Sequence, residues 1–327
     1  MDQAGNRGAV RGFAVGMEET TRRWIAAMRD ERYADAWAIE QAILALRDPA
    51  TRDDPAQPYH RRWVWDGRAP DGRDVLVRCY QGLGDTIQFA RYLPLLAARA
   101  RSVTVEAPAR LHPLLRAIAD VALLAFDPAN PAPPADLDIE MTELASALRM
   151  PPLAVPVPYL AHTPAALPRG TIGLCWAAGD WDRDRWVPEA LLAPVARAGP
   201  SLSLVAAPTA LPVLNPDGCA FDLSATAALV AGCALVVTVD TMIAHLAGAM
   251  GKPVWLMLKA EPDWRWNPQA RTSGWYPSAR LYVQPRSGDW HAVTRAIARD
   301  LPGFFHHDVA ESDHGQPAQS VGARLLG

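Results

Sequence analysis

Residues 235–258, LVVTVDTMIAHLAGAMGKPVWLML, limit the fold more than any other stretch of the chain. Leu235 to Val239 lack the polar alternation of a half-exposed strand, so they predict a strand buried on both faces. Asp240 and Thr241 suit a helix N-terminus, and the helix is expected from about Thr241 to Met250. Gly251 can supply a left-handed C-cap, Pro253 blocks continuation, and residues 254–258 form a second apolar strand. Strand, helix and parallel strand make one β-α-β unit. This places the chain in the α/β class and directs attention to the C-terminal ends of its strands, where such units bind ligands. A helix N-terminus there favours phosphate, and Asp240, Thr241 and His245 could reach polar groups on the same ligand. The same residues also fit a plain N-cap aspartate and a core histidine.

Before this unit the pattern repeats. Residues 74–80 (DVLVRCY) predict a strand, Gly82-Leu-Gly84-Asp85 a turn, residues 86–98 an amphipathic helix and residues 102–106 another strand. Further alternation follows: a helix over 108–119, strands at 122–126 and 137–140, and a helix to about Leu148. A proline-rich stretch leads into a second series, with a strand at 171–176, the charged loop 177–185, a helix at 188–197, a strand at 202–206 and a helix at 225–233. After residue 258 a strand at 281–284 and a helix at 290–301 are expected. The domains are then 74–162 and 171–302, joined by a linker at 163–170.

Residues 17–47 carry apolar side chains at helical spacing in two runs, 18–29 and 33–47. The stretch AAMRDERYADAWAIEQAILALRDP is similar to one degenerate tetratricopeptide unit. A lone unit cannot bury both faces, so it packs on the next domain, meets another protein or remains from a longer array. Residues 48–73 form a polar, proline-bearing connection in which Trp63 and Trp65 alternate as in a short strand or hairpin. A disordered leader is expected over 1–16 and a flexible tail over 303–327, with His306, His307 and His314 on the tail.

Composition excludes several classes. The 327 residues are 50% hydrophobic with a formal net charge of -3, which suits a globular chain of two compact domains and offers nucleic acid no basic surface. Cys79, Cys175, Cys219 and Cys233 lie far apart, without zinc-binding spacing or a C-x-x-C motif, so reduced thiols and a cytoplasmic location are expected. No apolar run approaches the roughly 18 residues that span a bilayer, which leaves peripheral membrane contact open.

The segment TVDTMIAHLAGAMGKPVWLML resembles the donor-site signature of the ADP-heptose:lipopolysaccharide heptosyltransferases, glycosyltransferase family nine. It is more similar still to the related domains at the C-termini of bacterial tetratricopeptide-repeat proteins. GLGDTIQFARYLPLL carries the rest of the resemblance, which covers most of residues 59–301. The resemblance implies a GT-B-like fold, two Rossmann-like domains facing a cleft, with the acceptor on the first and a nucleotide-sugar donor on the second. It implies that Asp85 is the catalytic base and that Asp240, Thr241 and His245, at the D-T-x-x-x-H positions, hold donor sugar and phosphate. Met242 stands where heptosyltransferases usually have glycine, so a sugar other than heptose is left open.

Gly82 and Gly84 would let the cleft loop approach a ligand, and Trp264 and Arg265 are expected at the cleft mouth. Arg183 and Arg185, in CWAAGDWDRDRWVP, are candidates to pair with the diphosphate, although this loop departs from the CWAGNP-type, NDRxRS-containing pattern of close relatives. No carboxylate cluster suits magnesium, so neither metal nor cofactor is expected, the nucleotide sugar being a substrate. The expected activity is metal-independent, inverting transfer of a sugar from a nucleotide-diphosphate donor to a protein or lipid-linked saccharide acceptor. The alternatives are a catalytically inactive, partner-binding GT-B-like protein and a nucleotide-sugar epimerase.

Overall fold

Two parallel sheets form, and their central strands arise from runs of residues buried on both sides. The computed structural model describes residues 18–312 apart from 181 and 221, with only the backbone described over 307–312. Helices α1 (residues 18–29) and α2 (Tyr33–Leu46) come first, turning at Glu31 in a left-handed conformation, φ 58°. The first lobe contains β1 (Asp74–Arg78), α3 (Leu83–Phe89), α4 (Leu93–Ala97), β2 (Ser102–Ala107), α5 (His112–Ile118), β3 (Ala122–Ala125), β4 (Leu137–Glu140) and α6 (Leu144–Leu148). Its strands are parallel in the order β3-β2-β1-β4.

The second lobe contains β5 (Ile172–Cys175), α7 (Ala193–Ala196), β6 (Ser201–Ser203), α8 (Leu223–Gly232), β7 (Leu235–Val239), α9 (Met242–Ala249), β8 (Val254–Leu258), β9 (Ala279–Val283) and α10 (Trp290–Ser312). Its parallel order is β6-β5-β7-β8-β9. The order in which strands are added reverses between β1 and β4 in one sheet and between β5 and β7 in the other. Each reversal opens a crevice beyond the strand C-terminal ends, where ligands bind in folds of this kind. All of β5, β7 and β8 is buried, which explains their unbroken apolar runs.

Alternate residues of β7 and β8 face two cores. Leu235, Val237, Val239, Trp255 and Met257 pack beneath α7 and α10, whereas Val236, Val254, Leu256 and Leu258 join a core that continues through α9 into the first lobe. The lobes therefore share buried apolar surface. Arg91, just after α3, strengthens the junction: its guanidinium is 1% exposed and lies 4.8 Å and 4.9 Å from the ring centroids of Tyr159 and Tyr276. It donates to the Trp275 carbonyl at 2.9 Å and the Gln88 carbonyl at 3.0 Å.

The helical pair packs on the rest of the chain. The Trp24 indole N–H donates to Glu40 Oε1 at 2.7 Å, tying α1 to α2, while its ring lies 4.9 Å from that of Trp264. Arg29 Nη2 donates to the Pro262 carbonyl at 2.6 Å, so the pair touches the second lobe directly.

Several expected boundaries change. The helix expected over 86–98 starts at Leu83 and breaks into α3, a 3-10 turn at Ala90–Tyr92 and α4, because Pro94 has no N–H to continue the ladder. The helix expected over 188–197 is likewise a 3-10 turn, Glu189–Leu192, followed by short α7 with Pro194 in its first turn. Trp63 and Trp65 do not form a strand or hairpin: the Trp65 N–H bonds to Glu143 Oε2 at 3.1 Å, and its indole N–H to the Arg68 carbonyl at 2.8 Å. The closing helix passes residue 301 and runs to Ser312, so the expected tail begins as helix and includes exposed His306. The leader at 1–16, His314 and the His307 side chain lie outside the described residues. All four cysteines are free. Among the described residues, no helix is long and apolar enough to cross a membrane.

Candidate functional site

Close contact between α3 and α9 brings the C-terminal edges of the two sheets together. Gly84 makes that contact, since a Cβ there would lie 2.8 Å from His245 Cδ2 and 3.3 Å from Met242 Cα. The glycine, expected to let the cleft loop approach a ligand, thus permits close helix packing. Opposite it, His245 Nδ1 is 3.1 Å from the Tyr276 hydroxyl, and the ring stacks on Trp266 with centroids 5.9 Å apart. Burial, with Arg265 and Arg91 nearby, drives the His245 pKa well below its ordinary value, so the ring is neutral. His245, expected to hold the donor, lies at the lobe contact.

Asp85 stands in the first turn of α3, not at its N-cap, which is Gly82. Its Oδ2 accepts the Gly82 N–H at 2.9 Å, reaching back as the acidic member of a capping box does. Its Oδ1 pairs with Arg265 of the second lobe. Arg265 also donates to Gln88 Oε1 at 2.7 Å and Asp263 Oδ1 at 2.8 Å, and its guanidinium lies 4.3 Å from the Trp264 ring centroid. One guanidinium therefore joins the two lobes at the expected base. The carboxylate keeps partial solvent access, at 25% side-chain exposure.

A cavity of about 180 Å³ opens beside this pair, between the chain leaving β5 and the ends of β7 and β8. Asp182, Arg185, Asp240, Lys259, Glu261 and Asp263 supply its polar lining. Arg185 Nη1 donates to the Asp240 carbonyl at 2.7 Å, and Lys259 Nζ to Asp182 Oδ2 at 2.6 Å, so both cations are held at the crevice between β5 and β7. Burial and the neighbouring Asp263 push the Asp240 pKa up to about 6. Asp240 does not cap α9; Thr241 occupies that position and makes no side-chain capping bond. Arg183, expected beside Arg185 on the phosphate, is 69% exposed and pairs with Asp180 at 2.9 Å instead.

A larger cavity of about 1040 Å³ lies between the helical pair and the first lobe, with Gly82, Asp85, Trp264 and Arg265 on its wall. Asp263 lines both cavities. Near the β4 end, burial pushes Glu140 up to about 8 and Glu143 up to about 7. Lys259, Asp182 and Asp263 were missed in the sequence. Lys259 had a signal: it is one of only two lysines and follows β8 directly, as Asp240 follows β7. Among the described residues, no group of three or more His, Cys, Asp or Glu is arranged to hold a metal ion.

Residues 219–273 match the model of glycosyltransferase family 9 (heptosyltransferase). That segment includes Asp240, Lys259, Asp263 and Arg265. By sequence, the chain has no significant match among curated proteins. Among solved structures it is similar to E. coli ADP-heptose lps heptosyltransferase II, at 14% identity and TM-score 0.50, covering 72% of this chain and 99% of that one. It is also similar to TibC of enterotoxigenic E. coli, described as a bacterial iron-containing dodecameric glycosyltransferase, at 12% identity and TM-score 0.51, covering 75% and 78%. A further TibC structure, in complex with ADP-D-beta-D-heptose, gives 11% identity and TM-score 0.51, covering 75% and 80%. The fold is the α/β, GT-B-like arrangement of these heptosyltransferase structures.

Proposed function

We propose that this chain is a glycosyltransferase that binds a nucleoside diphosphate sugar in the smaller cavity and transfers the sugar to a hydroxyl presented beside Asp85. One observation carries the reading: Arg185, Lys259 and Asp240 line one cavity at the second lobe's crevice, the latter two inside the family-matched segment, while Arg265 joins Asp263, on that cavity's wall, to Asp85. Arg185 and Lys259 supply positive charge where a departing diphosphate develops negative charge. Asp240, with its raised pKa, can donate a hydrogen bond to phosphate or sugar oxygen when protonated.

In the transfer, the acceptor oxygen attacks the anomeric carbon while the bond from that carbon to the diphosphate oxygen breaks. Asp85 takes the hydroxyl proton, and attack opposite the leaving group inverts the configuration. Arg265 already occupies one oxygen of the Asp85 carboxylate, so orientation must supply much of the rate. Arg265 must shift from Asp85 toward the diphosphate for the base to accept a proton. The same pair favours a second, non-catalytic reading in which the carboxylate stays occupied and the fold only binds a partner.

Both readings are separated by measuring ADP binding by calorimetry and sugar release from ADP-heptose, since TibC was solved with ADP-D-beta-D-heptose. ADP should bind, Lys259→Ala should weaken it roughly tenfold, and Asp85→Asn should abolish transfer while leaving ADP affinity unchanged. Transfer that survives Asp85→Asn removes the base assignment. Failure of ADP, UDP, GDP and CDP alike to bind refutes the donor site.

A further inference from the structure

We infer that the cavity of about 1040 Å³ beneath the helical pair seats the acceptor, and that this acceptor is a neutral saccharide. The inference rests on the proposed role of Asp85, which lies on the wall of this cavity beside Gly82. Its volume reaches the top of the range of about 300–1,000 Å³ typical of small-molecule sites, enough for more than one sugar ring.

The lining selects among ligand classes. Trp24 and Trp264, both half-buried on the wall, give a sugar's C–H face an aromatic surface to lie against, with Trp37 and Trp65 buried behind it. Carboxylates of Glu40 and Glu143 stand among them, each held in place: Glu40 Oε1 by the Trp24 indole N–H at 2.7 Å, and Glu143 Oε2 by the Glu140 N–H at 2.9 Å and the Trp65 N–H at 3.1 Å. Their fixed carboxyl oxygens can accept hydrogen bonds from hydroxyl donors, and acidic and basic side chains share the wall, which favours a hydroxyl-rich ligand without net charge. A cationic peptide would meet Arg47 and Arg265 on the same wall. An extended peptide also needs a row of backbone partners, whereas side chains from helices and loops form the lining.

More than a third of this wall comes from α1, α2 and the residue that caps α2, through Trp24, Trp37, Glu40 and Arg47. The helical pair therefore sets acceptor specificity from outside the two α/β lobes. The tie between Trp24 and Glu40 makes it a fixed wall rather than an unattached appendage.

Saturation-transfer NMR on the full chain, with ADP present, tests this. The probes are methyl α-glucoside, methyl α-mannoside, maltose and lactose, against glucuronic acid and a serine- and threonine-containing peptide. At least one neutral sugar should receive saturation, and Glu40→Gln should weaken it roughly tenfold with ADP affinity unchanged. Trp24→Phe, which keeps a ring but removes the indole N–H, should weaken the same sugar. The inference is overturned if ADP binds while none of the four neutral sugars does, or if only glucuronic acid or the peptide does; the donor site would then stand alone. It is also overturned if sugar binding is indifferent to both variants. Loss of ADP binding in the unaltered chain would strike the proposed function itself.

Discussion

Replacing Gly84 with alanine sets two effects of opposite sign against each other. In an unpacked helix, alanine for glycine stabilises by up to about 1 kcal/mol, through the smaller backbone entropy lost on folding. Here the new methyl would lie 2.8 Å from His245 Cδ2 and 3.3 Å from Met242 Cα. Carbon atoms prefer about 3.5–4.0 Å, so α3 and α9 must separate by several tenths of an ångström or His245 must turn. Turning is opposed by the Tyr276 hydroxyl and by Trp266, and Met242 Cα is backbone. Overpacking of this kind costs about 1–3 kcal/mol, which offsets the helix gain and leaves a net loss of up to about 2 kcal/mol. Urea denaturation of Gly84→Ala should show a lower midpoint. Gly303→Ala provides the internal control: Gly303 lies within α10, nothing stands within 4 Å of a Cβ there, and the substitution should stabilise by about 0.5–1 kcal/mol. If Gly84→Ala stabilised as Gly303→Ala does, the described packing of α3 on α9 would be wrong.

Stability should fall as pH rises from 7 to 8. Burial raises the folded pKa of Glu140 to about 8, so the native state holds a proton that the unfolded chain has lost, with a slope of up to about 1.4 kcal/mol per pH unit. His245, with its lowered folded pKa, contributes only below this window. Glu143, raised to about 7, adds to the same fall, so Glu140→Gln should reduce the slope without abolishing it in urea titrations at both pH values; an unchanged slope would remove Glu140 as a source. Arg91→Met keeps apolar bulk but strips the Gln88 and Trp275 carbonyls of their donor, and should lower stability by about 2–3 kcal/mol in the same assay. An unchanged midpoint would mean that the guanidinium adds nothing at the lobe junction.

The β7-α9-β8 unit was legible because burial on both faces leaves an unbroken apolar run. Its strands fall at the expected Leu235–Val239 and Val254–Leu258. Asp85 and Asp240 were legible as candidates because both follow strands at their C-terminal ends. Their environments were not legible. The Asp85 partner, Arg265, is 180 positions away, and no local pattern signals a pair made by docking two lobes. In DRDR, charge alternation cannot distinguish exposed Arg183 from buried Arg185; that depends on which side of the loop faces the Asp240 carbonyl. His245 carried the same ambiguity, and its contacts with Tyr276 and Trp266 depend on lobe docking that no local pattern signals. The broken helices were partly legible, since Pro94 and Pro194 stand in plain sight.

The core that passes from the first lobe through α3 and α9 into the second has a practical consequence. A protease that nicked the chain near residue 165 would not release two independently stable halves, because each would carry an apolar face now covered by the other. The nicked fragments should remain associated until a single cooperative transition unfolds both.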